Sequence, residues 1–473
     1  MKNDLAPISK IPPDVFSLIP EYLDGDDEDK SLITMTHVCR GWRELLIACP
    51  SLWVRLDCMN TDETRVYIER SKLTPLYLLL HIYWDMAYLE DAFLLVVPHI
   101  SRLKSLTIYG GYDPLEDLAP YFSCPTPLLN KLTIDVGCDP SPVLSTMLFN
   151  GNLSSLCSLT LCGVITDLPW KNLSKLTTFE LRRVPEGKTS ITQLLDFFGG
   201  AHHLRDITLG DFIPTPSDAP PGRVVSLPHL KRLYIHPNPV HSILLNHLSI
   251  PAGALLTQEF EFTINESPVP DFLPKTLKNL GNIFPISCIS LFLGKSCKDM
   301  RLSGPNGGLS ILGRWKDWEE GAVFTLDRRI LQSLSHFDLS GTQRLRVIHY
   351  KPPTLDTVSG SAPYHILSRM KDLQTLMLDQ CNNLPFALAL NPDRNTSKCV
   401  PCPKLEELVL CVERLDLFDI EELMSMAKER TVAGVRLPSI TIFGLGELIL
   451  RERVSKLKEY VTHVRYVVRE ELS

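Results

Sequence analysis

The sequence lacks an uninterrupted apolar run long enough to cross a bilayer. Its most apolar stretch, 76–98, is broken by Asp85, Glu90 and Asp91, short of the roughly 20 apolar residues that a spanning helix needs. It also lacks an excess of positive charge. Lys+Arg 48 against Asp+Glu 55 leaves a net charge of −7 over 473 residues, which argues against a polybasic nucleic-acid binder. Glycine is sparse at 25 residues and proline outnumbers it at 36, so short elements stopped by proline are expected rather than flexible linkers. The 13 cysteines are odd in number and scattered, and residues 1–10 show no apolar core of a secretion signal. Reduced thiols in cytoplasm or nucleus are therefore expected, not a disulfide framework.

Catalytic signatures are missing too. Gly294-Lys295-Ser296 ends like a phosphate-binding loop, but Ile289 stands where the first glycine belongs, and without it no cradle of backbone amides is implied. Gly444-Leu445-Gly446 has no third glycine at dinucleotide spacing, and no Gly-x-Ser-x-Gly elbow occurs. Cys399-Val400-Pro401-Cys402 has the spacing of half a zinc site, yet no second pair lies nearby. The aromatic cluster Tyr77, Tyr83, Trp84 and Tyr88 has no interleaved Lys or Arg, so it lacks the electrostatic half of a nucleic-acid platform. No enzyme, metal or cofactor is expected.

What is present falls into two parts. In the first sixty residues helical signals crowd together: Pro12, Pro13 and Asp14 suit a helix start, followed by Val15, Phe16, Ile19 and Leu23 on one stripe. After the acidic turn 24–29, Leu32, Met35 and Cys39 mark a second helix. Trp42, Leu45, Leu46 and Cys49 mark a third, which Pro50 stops. From about residue 100 a Leu-x-x-Leu-x-Leu pattern recurs, beginning at Leu103, Leu129, Leu156, Leu176, Leu204, Leu230, Leu334, Leu373 and Leu405. The early separations of 26, 27, 20, 28 and 26 residues are leucine-rich-repeat sized. Short helices are expected between the strands, over 115–121, 143–149, 191–198, 364–370 and 420–428. One strand and one helix per turn cannot bury both faces alone, so the turns must stack as a curved solenoid.

Between Leu230 and Leu334 the pattern blurs over 104 residues. There Phe260, Phe262 and Ile264 alternate as in a strand, as do Ile289, Leu291 and Leu293. Pro305-Asn306-Gly307-Gly308 reads as a hairpin turn between Met300-Arg301-Leu302 and Leu309-Ser310-Ile311. A strand at 439–443, a helix at 447–460 and a last strand at 463–468 are expected to close the chain.

The order Ile11-Pro12-Pro13-Asp14-Val15, then Val38-Cys39-Arg40-Gly41-Trp42-Arg43, then Pro50-Ser51-Leu52-Trp53 resembles an F-box over residues 8–56. Tyr67-Ile68-Glu69-Arg70-Ser71 ahead of Pro75-Leu76 is similar to the large fungal F-box families. The repeats that follow match the F-box plus leucine-rich-repeat arrangement. The resemblance implies an α/β protein with a small three-helix F-box at 1–60 and an irregular leucine-rich-repeat horseshoe at 61–473, with an irregular insertion around 240–330.

It also implies a substrate-recognition subunit of a Skp-cullin-F-box ubiquitin ligase, without chemistry of its own. Ile11, Pro12, Val15, Ile19, Leu23, Val38, Trp42 and Leu45 would then form or support the surface that meets the Skp adaptor and, through it, a cullin. The rival reading is a stand-alone repeat scaffold with a degenerate F-box. A protein substrate is expected on the concave strand face. There the strand period of two turns Tyr109, Arg182, Arg232, Tyr234, Asp338, Met377, Asp379 and Glu407 away from the leucines; the loops at 214–223 and near Asn306 are the alternative.

Overall fold

The computed structural model describes residues 12, 15, 28–82, 87–110, 115, 118–137, 149, 153–164, 173–184, 189–212, 222–236, 241–262, 277–294, 297–315, 330–349, 361–379, 385–392, 400–411, 417–444 and 454–468. It is a mixed α/β fold with a large, open and mostly parallel sheet. The chain divides into two compact units, 1–207 with 211–220 and 208–210 with 221–473.

The first unit opens on helices Glu28–Thr36 and Arg40–Ile47 and a single 3-10 turn, Pro50–Trp53. Cys39, read from the sequence as part of the second helix, instead caps the next one: its Sγ accepts the Trp42 N–H. Strands β1 (Arg55–Leu56), β2 (Leu76–Ile82), β3 (Leu103–Gly110), β4 (Lys131–Val136), β5 (Ser158–Cys162) and β6 (Thr178–Val184) lie side by side in parallel, each beside its neighbour in sequence. At the head of β7 (Asp206–Phe212), the Arg205 and Asp206 N–H groups donate to Thr177 O.

Alternation decides which side chains go inside. Leu78, Leu106, Leu132, Leu159 and Phe179 form one buried row across five strands, and Leu80, Ile108, Ile134, Leu161 and Leu181 form the next. In most copies the first leucine sits just before its strand in a tight turn, whereas Leu103 opens β3 itself. Leu129, Leu156, Leu176 and Leu204 each donate their N–H to the carbonyl three residues back, and all four are buried. Helix Ile191–Gly200 buries Ile191, Leu194, Leu195, Phe197 and Phe198 and starts at a reciprocal cap between Ser190 and Gln193, which satisfies two amides that the helix end leaves orphaned.

In the second unit, β8 (Val225–Ser226) and β10 (Leu248–Ser249) form a separate two-stranded pair. The main sheet runs through β9 (Arg232–Ile235), β11 (Leu255–Phe262), β12 (Cys288–Leu293), β13 (Cys297–Ser303), β14 (Gly308–Trp315), β15 (Arg344–Ile348), β16 (Thr375–Asp379), β17 (Glu407–Cys411), β18 (Ser439–Gly444) and β19 (His463–Val468). The expected hairpin is there: β13 and β14 pair antiparallel around the Pro305-Asn306-Gly307 turn. Its spatial order is reversed, however. β11 pairs in parallel with β14, β14 with β13, β13 antiparallel with β12, and β12 in parallel with β15. The chain thus passes over two strand positions to lay down β12, and the hairpin fills back toward β11. Gly307 makes this possible, since a Cβ there would lie 2.4 Å from Ala252 O and 2.5 Å from Ala254 O.

One expected strand is misplaced. Leu334-x-x-Phe337-x-Leu339 has the repeat spacing but forms a 3-10 turn, Leu334–His336, with Phe337 N–H on Leu334 O. The strand comes later, as β15, after Thr342, whose N–H donates to Leu339 O and which is fully buried where the other copies have leucine. Helix 420–428 is present within Leu417–Val432 and helix 364–370 in part as Ser361–Leu367. Residues 143–148, 447–453 and Ile264 lie outside the described residues. Among the described residues no helix is long and apolar enough to cross a membrane.

Candidate functional site

Two surfaces follow from this architecture: the N-terminal helices and the strand faces turned away from the leucines. Of the expected adaptor set, Ile11, Ile19 and Leu23 lie outside the described residues. Pro12 is exposed and Trp42 half-buried. Val15, ahead of both helices, Val38, in the turn between them, and Leu45, on the second, are 48%, 56% and 38% exposed, while Leu32, Met35 and Leu46 of the two helices are buried. The segment thus carries an inner set of apolar side chains on its two helices and an outer set on and beside them. The inner set is fastened by Trp53, whose Nε1–H donates to Leu46 O at 2.9 Å in a buried position.

In the first unit, register places His81, Tyr109, Asp135, Cys162 and Arg182 in one outward row over β2 to β6. The His81 and Tyr109 rings lie 5.7 Å apart, and Arg182 pairs with Glu180 at 2.6 Å. Period-two reasoning misses Arg183, because that residue is left-handed at φ 52 and is exposed beside Arg182 instead of pointing inward. Its Nε–H donates to Cys162 Sγ at 3.1 Å and its Nη2 pairs with Asp135. Burial pushes the Cys162 thiol up despite the Arg183 bond, so it is no activated nucleophile.

In the second unit, Arg232 is exposed and Tyr234 half-buried. The Tyr234 hydroxyl donates to the Glu259 carboxylate, which also pairs with Arg314 at 2.9 Å and lies 3.7 Å from His236. Met377, Asp379 and Glu407 stand half-buried on the outward sides of β16 and β17. Asp338 does not join them. It precedes β15 outside any strand and accepts the Ser340 N–H at 3.0 Å, a bond that holds its carboxyl below the usual range. Its expected place on the strand face is corrected accordingly, the cause being the misplaced copy at Leu334. Sequence reading also missed Glu259, Asp299 and Arg301, which fall in the blurred segment where no leucine frame tells inside from outside.

No described group of three or more His, Cys, Asp or Glu could hold a metal ion. Cys399 lies outside the described residues, and Cys402 is buried with its thiol donating to Leu367 O at 3.2 Å. Burial pushes the Cys402 and Cys58 thiols up to about 12, so both stay protonated at neutral pH. Maleimide at mildly alkaline pH is expected to label exposed Cys124 in the native protein, and Cys58 and Cys402 only after denaturation. Peptide mapping that finds Cys402 labelled as fast as Cys124 would show that its site opens in the native state.

Compared with known proteins, the chain matches no protein-family model and no curated sequence.

Proposed function

We propose that the chain is the substrate-recognition subunit of a Skp-cullin-F-box ubiquitin ligase. Its N-terminal helices would dock on the Skp adaptor, and a leucine-rich-repeat-like solenoid beginning near residue 61 would hold a target protein near the ubiquitin-conjugating enzyme. The mechanism is proximity, which turns an encounter between target and charged enzyme into an effectively intramolecular one. The observation that carries the reading is the exposure of Val15, Val38 and Leu45 within an N-terminal segment whose helices bury Leu32, Met35 and Leu46. A partner over this F-box-like segment would cover these exposed apolar side chains. Val15 and Val38 fall in the F-box-like motifs, and the sequential parallel order of β1 to β6 and of β15 to β19 is what stacked repeats produce.

The test is co-purification of the full chain with a Skp adaptor. Wild type is expected to retain it. Pro12→Ala combined with Val15→Asp is expected to abolish retention, since a charge forced into a desolvated interface costs several kcal/mol. The unfolding transition of the strands should not change. Failure of the wild type to retain the adaptor, or unchanged retention by the double variant, would favour the scaffold reading.

A further inference from the structure

Three ion pairs on the outward sheet face of the second unit share an asymmetry. In Arg314–Glu259, Arg301–Asp299 and Arg346–Asp379 the carboxylates are 7%, 11% and 17% exposed, while the guanidinium side chains are 60%, 66% and 47% exposed. The formal charges cancel, but the acids lie at the bottom and the cations on top. Asp299 is sunk deeply enough that burial raises its carboxyl above the usual range in spite of Arg301. Each carboxylate therefore serves as an anchor: it holds one nitrogen of a guanidinium whose side chain stays largely exposed. Arginine so held loses little rotamer freedom on binding and keeps a planar fork that fits a carboxylate.

The placing of these forks says what they suit. Arg301 and Arg346 share a row, with Ser290 of β12 between them, so they stand two strand spacings apart, roughly 10 Å. Exposed Arg344 lies two residues before Arg346 on the same side of β15. Ser310 stands beside Arg301 in the same row and donates to Asp299 at 3.4 Å. A dianionic phosphate is best held by several cations converging on one point. Here each cation is tethered to its own acid and the cations are dispersed, which suits a series of singly charged groups at intervals. The half-buried Glu407, across Thr375 from Arg344, bounds the cationic area on that side.

We propose that the outward face of β11 to β16 captures an acidic, unphosphorylated segment of a partner protein, with Arg301, Arg314, Arg344 and Arg346 each meeting a carboxylate. This rests on reading the strand face as the capture surface, and it is independent of whether the N-terminal helices bind the adaptor.

The experiment uses the full chain and fluorescence anisotropy with a short labelled peptide of alternating Glu and Ser. Its Gln-for-Glu counterpart and a peptide with phosphoserine in place of each Glu are the comparisons. The Glu peptide is expected to bind at least about tenfold more tightly than the Gln peptide, and to weaken with salt. Arg344→Glu, chosen because Arg344 holds none of the three buried carboxylates, is expected to weaken binding about tenfold or more. Arg301→Lys with Arg346→Lys keeps a cation over each buried acid and is expected to weaken binding severalfold, through loss of the fork alone. Adaptor retention, measured on the same samples, should be unchanged in every variant. Equal binding of the Glu and Gln peptides, or an unaffected Arg344→Glu variant, overturns the proposal. Tighter binding of the phosphoserine peptide by tenfold overturns the choice of carboxylate. Loss of adaptor retention in the wild type would fall on the ligase reading and leave this one standing.

Discussion

Trp53→Ala is expected to destabilise the N-terminal part of the chain by about 3 to 5 kcal/mol, the range for emptying a packed aromatic site. Trp53 is fully buried. Its ring meets Tyr67 edge-on with centroids 5.0 Å apart, and the Arg70 guanidinium sits 4.3 Å from its ring centroid. Its Nε1–H donates to Leu46 O, so one side chain connects helix Arg40–Ile47 to helix Thr61–Ser71. The carbonyl is not orphaned by the change, because it also accepts the Cys49 N–H at 3.2 Å. Most of the loss is therefore cavity and dispersion, not an unsatisfied polar group. Trp53→Phe, which keeps a ring and removes the donor, is expected to cost only about 1 to 2 kcal/mol. A chain of this size need not unfold in one step, so the measurement is local: hydrogen-exchange protection of the amides over 40–56. Protection unchanged in Trp53→Ala would mean that the helices are held by something else. Under the proposed function, adaptor docking would need the outer apolar set presented by a folded module, so Trp53→Ala should also weaken adaptor retention without touching that surface.

Much of the strand layout could be read from leucine alone, and where it failed the reason is chemical. Copies starting at Leu129, Leu156, Leu176, Leu204, Leu230, Leu373 and Leu405 each precede a strand, and Leu103 begins one, because the spacing reports a buried residue at the strand's entry followed by two inward side chains. The copy before β15 is hidden by Thr342, buried without being apolar, while Leu334, Phe337 and Leu339 imitate the spacing in a turn. Register on the outward face follows from alternation for Tyr109, Tyr234, Met377 and Glu407. It fails at Arg183, where a left-handed residue breaks the period.

The reversed order of β12, β13 and β14 left no mark in the sequence beyond a blurred pattern. A hairpin turn is a local signal, whereas the strand that a hairpin lies against is decided by long-range pairing. The outer apolar set of the N-terminal segment was legible only through the resemblance to an F-box, since amphipathic spacing cannot tell a stripe that faces a core from one that faces a partner.

Arg430→Ala is expected to cost about 3 to 5 kcal/mol, although in the sequence this residue looks like an ordinary surface cation at a helix C-terminus, where it would complement the helix dipole. The structure puts it elsewhere. Arg430 is fully buried near the end of helix Leu417–Val432. Its Nη1 donates to Pro401 O at 2.7 Å and Leu390 O at 3.5 Å, and its Nη2 donates to Cys402 O at 3.0 Å. Burial holds the guanidinium below its ordinary pKa, though arginine remains charged at any ordinary pH. A buried charge is tolerated only where dipoles replace water, and here three carbonyls from the turns ahead of β17 do so. The same bonds satisfy acceptors of an irregular segment that has no ladder to pair with. Removing the side chain leaves a cavity and buried carbonyls with fewer donors. Lysine, whose ammonium lacks the planar fork, should restore only part of the loss. Two readouts separate this from a mere surface effect: the denaturant midpoint of the second unit, and the rate at which Cys402, whose own carbonyl is one of the acceptors, is labelled by maleimide. Arg430→Ala should lower the midpoint and speed the labelling many-fold, with Arg430→Lys between the variant and wild type. A wild-type midpoint together with a protected Cys402 would show that the three carbonyl bonds do not hold this segment.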